Sequence, residues 1–140
     1  MEWIKERLTV NTRGKGLHEF TSEVQTLINH SNVYEGICHL FLQHTSASLC
    51  ISENADPTAR KDLESFIDRL APENQDWHQH TLEGTDDSPS HMKALVTKTS
   101  ESIPIESGQL MLGTWQGIYL FEHRYRPHRR TVLVHLLKIS

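Results

Sequence analysis

Residues 36–44 form a near-continuous apolar run, and residues 48–52 continue in the same style after a short hydroxylated break. Apolar runs this short suit strands buried on both faces, so the chain must build a core around them. The break, His44-Thr45-Ser46-Ala47, predicts a bulge or bend between two central strands. Period-two alternation opens the chain: Trp3, Lys5, Arg7 and Thr9 share one face, and Ile4, Glu6, Leu8 and Val10 the other. Further strands are predicted over 102–105, 109–114, 117–125 and 131–139, the last three as a meander with residues 126–130 as one turn. Pro104 assigns the first of these to an edge or a bulge.

Helical spacing occupies three places. Phe20, Val24, Leu27 and Ile28 follow a turn marked by Gly14 and Gly16, with Thr21 or Ser22 as the cap. Asp56-Pro57 supplies a cap and a first-turn proline to a helix carrying Leu63, Phe66, Ile67 and Leu70, which Pro72 stops. Ser88-Pro89 reads as a third start, for a short helix through Met92, Leu95 and Val96. No repeat or linker divides residues 1–140. A chain of this length hides about two-thirds of its unfolded surface, so a single α+β domain dominated by strands is expected.

With 14 Lys+Arg against 18 Asp+Glu the net charge is −4, which argues against a dedicated nucleic-acid binder. No apolar stretch approaches the roughly 18 residues that span a bilayer, and the N-terminus lacks the apolar centre of a signal peptide. The cytoplasm is the expected compartment, with no membrane partner. Cys38 and Cys50 lie inside apolar runs without a CxxC pair, as buried thiols do. Ten dispersed histidines are the unusual feature of the composition, and histidine is the commonest metal ligand.

Four constellations carry potential chemistry. His44 ends a buried strand beside small residues, including Ser46, that leave room for a metal or ligand. The polar segment 73–88 brings His78, His80, Asp86 and Asp87 ahead of His91, and a polar stretch of that length in a compact domain is usually functional. Three protein ligands with an open fourth position make a catalytic zinc site. His44, His80 and His91 can supply such a set, with Asp86 or Asp87 orienting a ring from behind. Gly113-Thr114-Trp115-Gln116-Gly117 suggests a tight bend with Trp115 as a wall, against the plainer reading of aromatic packing beside a bulge. Glu122-His123-Arg124 runs into Arg126, Arg129 and Arg130, a basic concentration suited to phosphates or a solvated hairpin tip.

Three runs in order resemble the YjbQ family: Gln43-His44-Thr45-Ser46-Ala47-Ser48 with Glu53-Asn54-Ala55-Asp56-Pro57; Glu83-Gly84-Thr85-Asp86-Asp87-Ser88-Pro89-Ser90-His91; and 108–117 followed by Glu122-His123-Arg124. The resemblance spans essentially the whole chain. It implies a two-sheet β-sandwich with flanking helices, assembled as a homotrimer. It implies a divalent metal, zinc ahead of magnesium, held by His44, His80 and His91. It also implies a secondary thiamine phosphate synthase activity, a transferase reaction joining a pyrimidine diphosphate to a thiazole phosphate and releasing pyrophosphate. On that reading His44, His80, His91 and Glu122 are catalytic. Ser46, Trp115, Gln116, Arg124, Arg129 and Arg130 then bind the small phosphorylated substrate. The alternatives are a zinc-dependent hydrolase of a small substrate and a non-catalytic trimeric module that binds a phosphorylated metabolite.

Overall fold

In the structure, a computed structural model that describes residues 1–140, the chain forms two antiparallel sheets and three helices. Strand β1 (Glu2–Asn11) lies at one edge of a five-stranded sheet of order β1-β8-β3-β5-β6, with β8 (Arg129–Lys138), β3 (Gly36–Leu42), β5 (Ser100–Glu106) and the two-residue β6 (Gln109–Leu110). The second sheet has three strands, β2 (Gly16–Glu19), β7 (Gln116–Glu122) and β4 (Ala47–Glu53), with β7 central. Helices α1 (Thr21–His30), α2 (Pro57–Leu70) and α3 (Asp87–Val96) complete the chain.

Alternation decides which side chains meet. Cys38, Leu40 and Leu42 of β3 and Val132, Val134 and Leu136 of β8 point inward onto Leu49, Ile118 and Leu120 of the smaller sheet. Helix α1 adds Val24 and Ile28 to this core. Each such aliphatic side chain contributes about 1.5–3 kcal/mol by leaving water. Close approach is also required, because a Cβ on Gly36 would stand 2.0 Å from the Leu137 carbonyl oxygen. On the other face of the three-stranded sheet a smaller cluster, Leu17, Ile67, Tyr119 and Phe121, lies under α2.

Several sequence expectations hold. Asp56 caps α2, its Oδ1 accepting from the Thr58 N–H at 2.9 Å, and Pro57 occupies the first turn. On its outer side β5 is paired only towards its end, Ile105 and Glu106 with β6 and the Pro104 carbonyl with the Met111 N–H at 2.9 Å, so Pro104 sits where the edge begins. Others are corrected. The runs 36–44 and 48–52 are not neighbours: β3 and β4 lie in different sheets, and the bend between them carries the chain across the core. The expected meander is absent for the same reason, since β7 belongs to the small sheet while β8 is inserted between β1 and β3. Helix α1 has no side-chain cap. Thr21 Oγ1 instead donates to Glu19 and accepts from the Ile118 N–H at 2.8 Å. Helix α3 starts at Asp87, ahead of Ser88-Pro89. No helix is long and apolar enough to cross a membrane.

Candidate metal centre

The polar segment before α3 is irregular but fastened. Glu73 accepts from the Thr85 hydroxyl and the Tyr125 hydroxyl, each at 2.6 Å. Gly84, at φ 100°, makes the turn into α3 in a conformation that L side chains rarely adopt. Arg124 then clamps the helix entry. Its Nε donates to Asp86 Oδ2 at 3.0 Å, one terminal nitrogen to Asp87 Oδ1, and the other to the Glu83 carbonyl at 2.8 Å. The far end of α3 is anchored by Lys93, whose buried ammonium donates to Asp68 of α2 at 2.6 Å.

This fastening brings three potential ligands together. Asp87 and His91 are four apart on α3 and share a face. His80 arrives from the loop, its Nε2 2.5 Å from Asp87 Oδ2, and His91 Nε2 lies 3.1 Å from the same oxygen. All three donor atoms fall within 4.8 Å of one another. Two donors on a single zinc ion are at most about 4.2 Å apart, twice a Zn–N bond, so little contraction is needed. Asp87 is buried, whereas the His80 and His91 side chains are 51% and 39% exposed. Burial alone would raise the Asp87 pKa. The His80 hydrogen bond and the neighbouring His91 and Arg124 charges outweigh it and hold the carboxyl below its ordinary value.

The tautomer of His91 follows from its other nitrogen. Nδ1 lies 2.8 Å from the Thr45 carbonyl oxygen, which can only accept, so Nδ1 carries a proton. In the neutral ring Nε2 is then a bare lone pair facing a carboxylate oxygen. Two acceptors in that position require a cation between them, either a further proton or a metal ion. A ring nitrogen fixed by a backbone carbonyl is also the usual support behind a metal-bound imidazole.

His44 is not in this group. Its Nε2 accepts from the Thr131 N–H at 2.9 Å, tying the end of β3 to β8. Burial, with the nearby Arg130 charge, lowers its pKa and keeps the ring neutral. Asp87 therefore stands in the place expected for His44, while Asp86 holds Arg124 and the Tyr125 N–H.

The other expected site residues are placed as follows. Glu122 is fully buried and accepts from Arg130, from the Thr12 hydroxyl and from the N–H groups of His123 and Arg124. These donors outweigh the effect of burial and depress its pKa, which leaves it no capacity as a free base. The Arg130 guanidinium is buried against Glu122 and the Ser46 hydroxyl, the latter at 3.0 Å. Gln116 closes its own turn, its Oε1 accepting from the Gly113 N–H at 2.7 Å. Trp115 is 64% exposed and precedes β7, whereas Arg124 follows it. A seven-residue strand separates them by roughly 20 Å within one chain. Arg129, like Arg126, is exposed and makes no ion pair.

The matching family model is that of the UPF0047 YjbQ-like proteins, over residues 6–139. The chain belongs to this family. A UPF0047 protein of Synechocystis is 52% identical over 94% of this chain and 90% of its own length. The Escherichia coli protein YjbQ is 42% identical over 96% and 97%. A conserved hypothetical protein of Thermus thermophilus superposes with a TM-score of 0.85 at 36% identity, covering 94% of this chain and 99% of the other. The Synechocystis and Escherichia coli proteins carry the family designation, the Thermus protein is described only as conserved and hypothetical, and no reaction is given for any of the three. The thiamine phosphate synthase assignment does not stand, since none of them is described by it and two of the three arginines expected for phosphates are engaged internally.

One member of the Glu122-His123-Arg124 run has a structural place. His123 is buried, and the Thr97 hydroxyl donates to the Lys93 carbonyl at 2.7 Å. Ser48 must then donate to Thr97, and the His123 Nε2–H to Ser48 Oγ at 2.8 Å, leaving Nδ1 without a partner. Burial, reinforced by the Lys93 charge, lowers the His123 pKa from 6.5 to about 3. Below pH 6.5 the unfolded chain therefore binds one more proton than the folded one, and stability falls with pH by about 1.4 kcal/mol per unit. Urea unfolding between pH 6.5 and 4 is expected to show that slope reduced by about one proton in His123→Gln. An unchanged slope would contradict a neutral, buried ring.

Proposed function

We propose that the protein is a divalent-metal-dependent enzyme whose ion is held by His80, Asp87 and His91. The observation that carries this reading is the convergence of the His80, Asp87 and His91 donor atoms within 4.8 Å of one another, with His91 Nδ1 fixed on Thr45. Two imidazoles and one carboxylate match zinc, whereas magnesium prefers an all-oxygen shell. The half-exposed histidines leave coordination positions open to solvent and substrate. A zinc ion held by these residues would supply an acidified water or polarise a substrate oxygen. Arg126 and Arg129 are exposed and without carboxylate partners, which favours a small anionic, phosphorylated substrate. Purified protein is expected to bind about one zinc ion per chain. His91→Ala should weaken binding by at least about 100-fold, beyond the loss of a supporting hydrogen bond, and His44→Ala by less than about threefold. Calorimetric titration of the chelator-treated protein checks both. Equal losses in the two variants would move the site to His44.

We further propose that the working unit is a homotrimer. On the outer face of the five-stranded sheet Trp3, Leu137 and Ile37 form one row and Leu133 and Phe41 another, on either side of the polar row Lys5, His135 and His39, and Trp3, Ile37 and Phe41 are exposed. Large exposed apolar side chains grouped on one sheet face favour an association surface there. Light scattering on the eluting protein should give the mass of three chains, and Phe41→Glu a folded monomer. A wild-type monomer at micromolar concentration would remove this part of the proposal.

A further inference from the structure

Helix α3 inverts the usual pattern of a surface helix. Its buried side is largely polar, with Asp87, Ser90 and Lys93 turned inward beside Pro89. Its outward side is apolar. Leu95 and Val96 lie three and four residues after Met92, and they are 84% and 58% exposed. A single exposed leucine needs no explanation, whereas apolar side chains grouped along one exposed helix face mark a contact surface.

That stripe runs out of the candidate metal centre. Ser88, His91, Met92 and Leu95 stand at i, i+3, i+4 and i+7 and so share one face of α3. His80 reaches the same face from the preceding loop, its ring centroid 5.4 Å from that of His91. These five residues line one open groove of about 370 Å³. Leu95 follows His91 by about 6 Å along the helix. No carboxylate, ammonium or guanidinium lines the groove, and the only cation on α3, Lys93, is turned inward onto Asp68. One end is therefore built to bind a metal, and the other is uncharged and apolar. A second copy of the chain is the less suitable cover. Helix α3 packs chiefly on β4 of the small sheet, whereas the face proposed for assembly belongs to the five-stranded sheet. A protein surface seated on the stripe would also close His80 and His91 to substrate.

Resting on the metal reading above, we propose that this groove is the specificity subsite for an uncharged apolar arm of the substrate. The substrate is then an amphiphile, with an anionic head at the metal and a short alkyl chain or single ring along Met92 and Leu95. Each methylene fully removed from water contributes about fourfold in affinity, and one half covered in an open groove about twofold.

Calorimetric titration of the full-length, zinc-loaded protein with methylphosphonate and pentylphosphonate tests this, since the two probes share a head and differ by four methylenes. Pentylphosphonate is expected to bind at least about tenfold more tightly. Leu95→Gln, a change at an exposed position, should cut that ratio below about threefold, and chelator treatment should weaken both probes. Equal binding of the two probes by protein that holds zinc overturns the inference and leaves the metal reading intact. No zinc uptake, with neither probe bound, overturns both. A full ratio retained in both Leu95→Gln and Met92→Gln would put the arm elsewhere and overturn the subsite. So would a mass in solution that falls in Leu95→Gln, which would mean that a second copy fills the groove.

Discussion

The guanidinium of Arg124 on Asp86 and Asp87 is the contact on which the rest of the candidate site depends. It fastens an irregular loop and a helix N-terminus to the end of β7, and it occupies the outer oxygen of Asp87. The other oxygen is thereby aimed at His80 and His91. A paired charge of this kind is costly to break from one side, by about 3–5 kcal/mol, because the partner is left buried and alone. The His80–Asp87–His91 cluster is therefore held together by internal electrostatics.

The same economy of charge explains the basic segment. The sequence places Arg124, Arg126, Arg129 and Arg130 together, which suggests phosphate recognition. Folding divides them. Arg124 and Arg130 neutralise buried carboxylates, while Arg126 and Arg129 stay in solvent. Glu122 and Arg130 form a buried pair that joins β7 to β8 and reaches Ser46 in the crossing between the sheets. A net charge of −4 thus conceals a structural use of arginine that composition cannot separate from binding.

Much of the fold was legible because local rules are strong. Period-two alternation located β1 and β8, and Asp56-Pro57 fixed the start of α2. The partition into two sheets was not legible, since alternation says which face is buried and nothing about which strand is the partner. The grouping of candidate ligands was legible in part. His80 and His91 were found by residue type. Asp87 was assigned to a supporting role because Ser88-Pro89 looked like the helix start, which obscured its four-residue spacing to His91. His44 carried every sequence sign of a ligand, yet its ring nitrogen satisfies a backbone N–H of β8, a long-range contact that no local pattern records.

The most direct measurement is zinc K-edge X-ray absorption on the zinc-loaded protein, with His44→Ala beside it. Two imidazoles and otherwise oxygen neighbours, unchanged in His44→Ala, are the expected result. Three imidazoles in wild type, one of them lost in His44→Ala, or a shell without imidazole, would contradict a centre built on His80, Asp87 and His91.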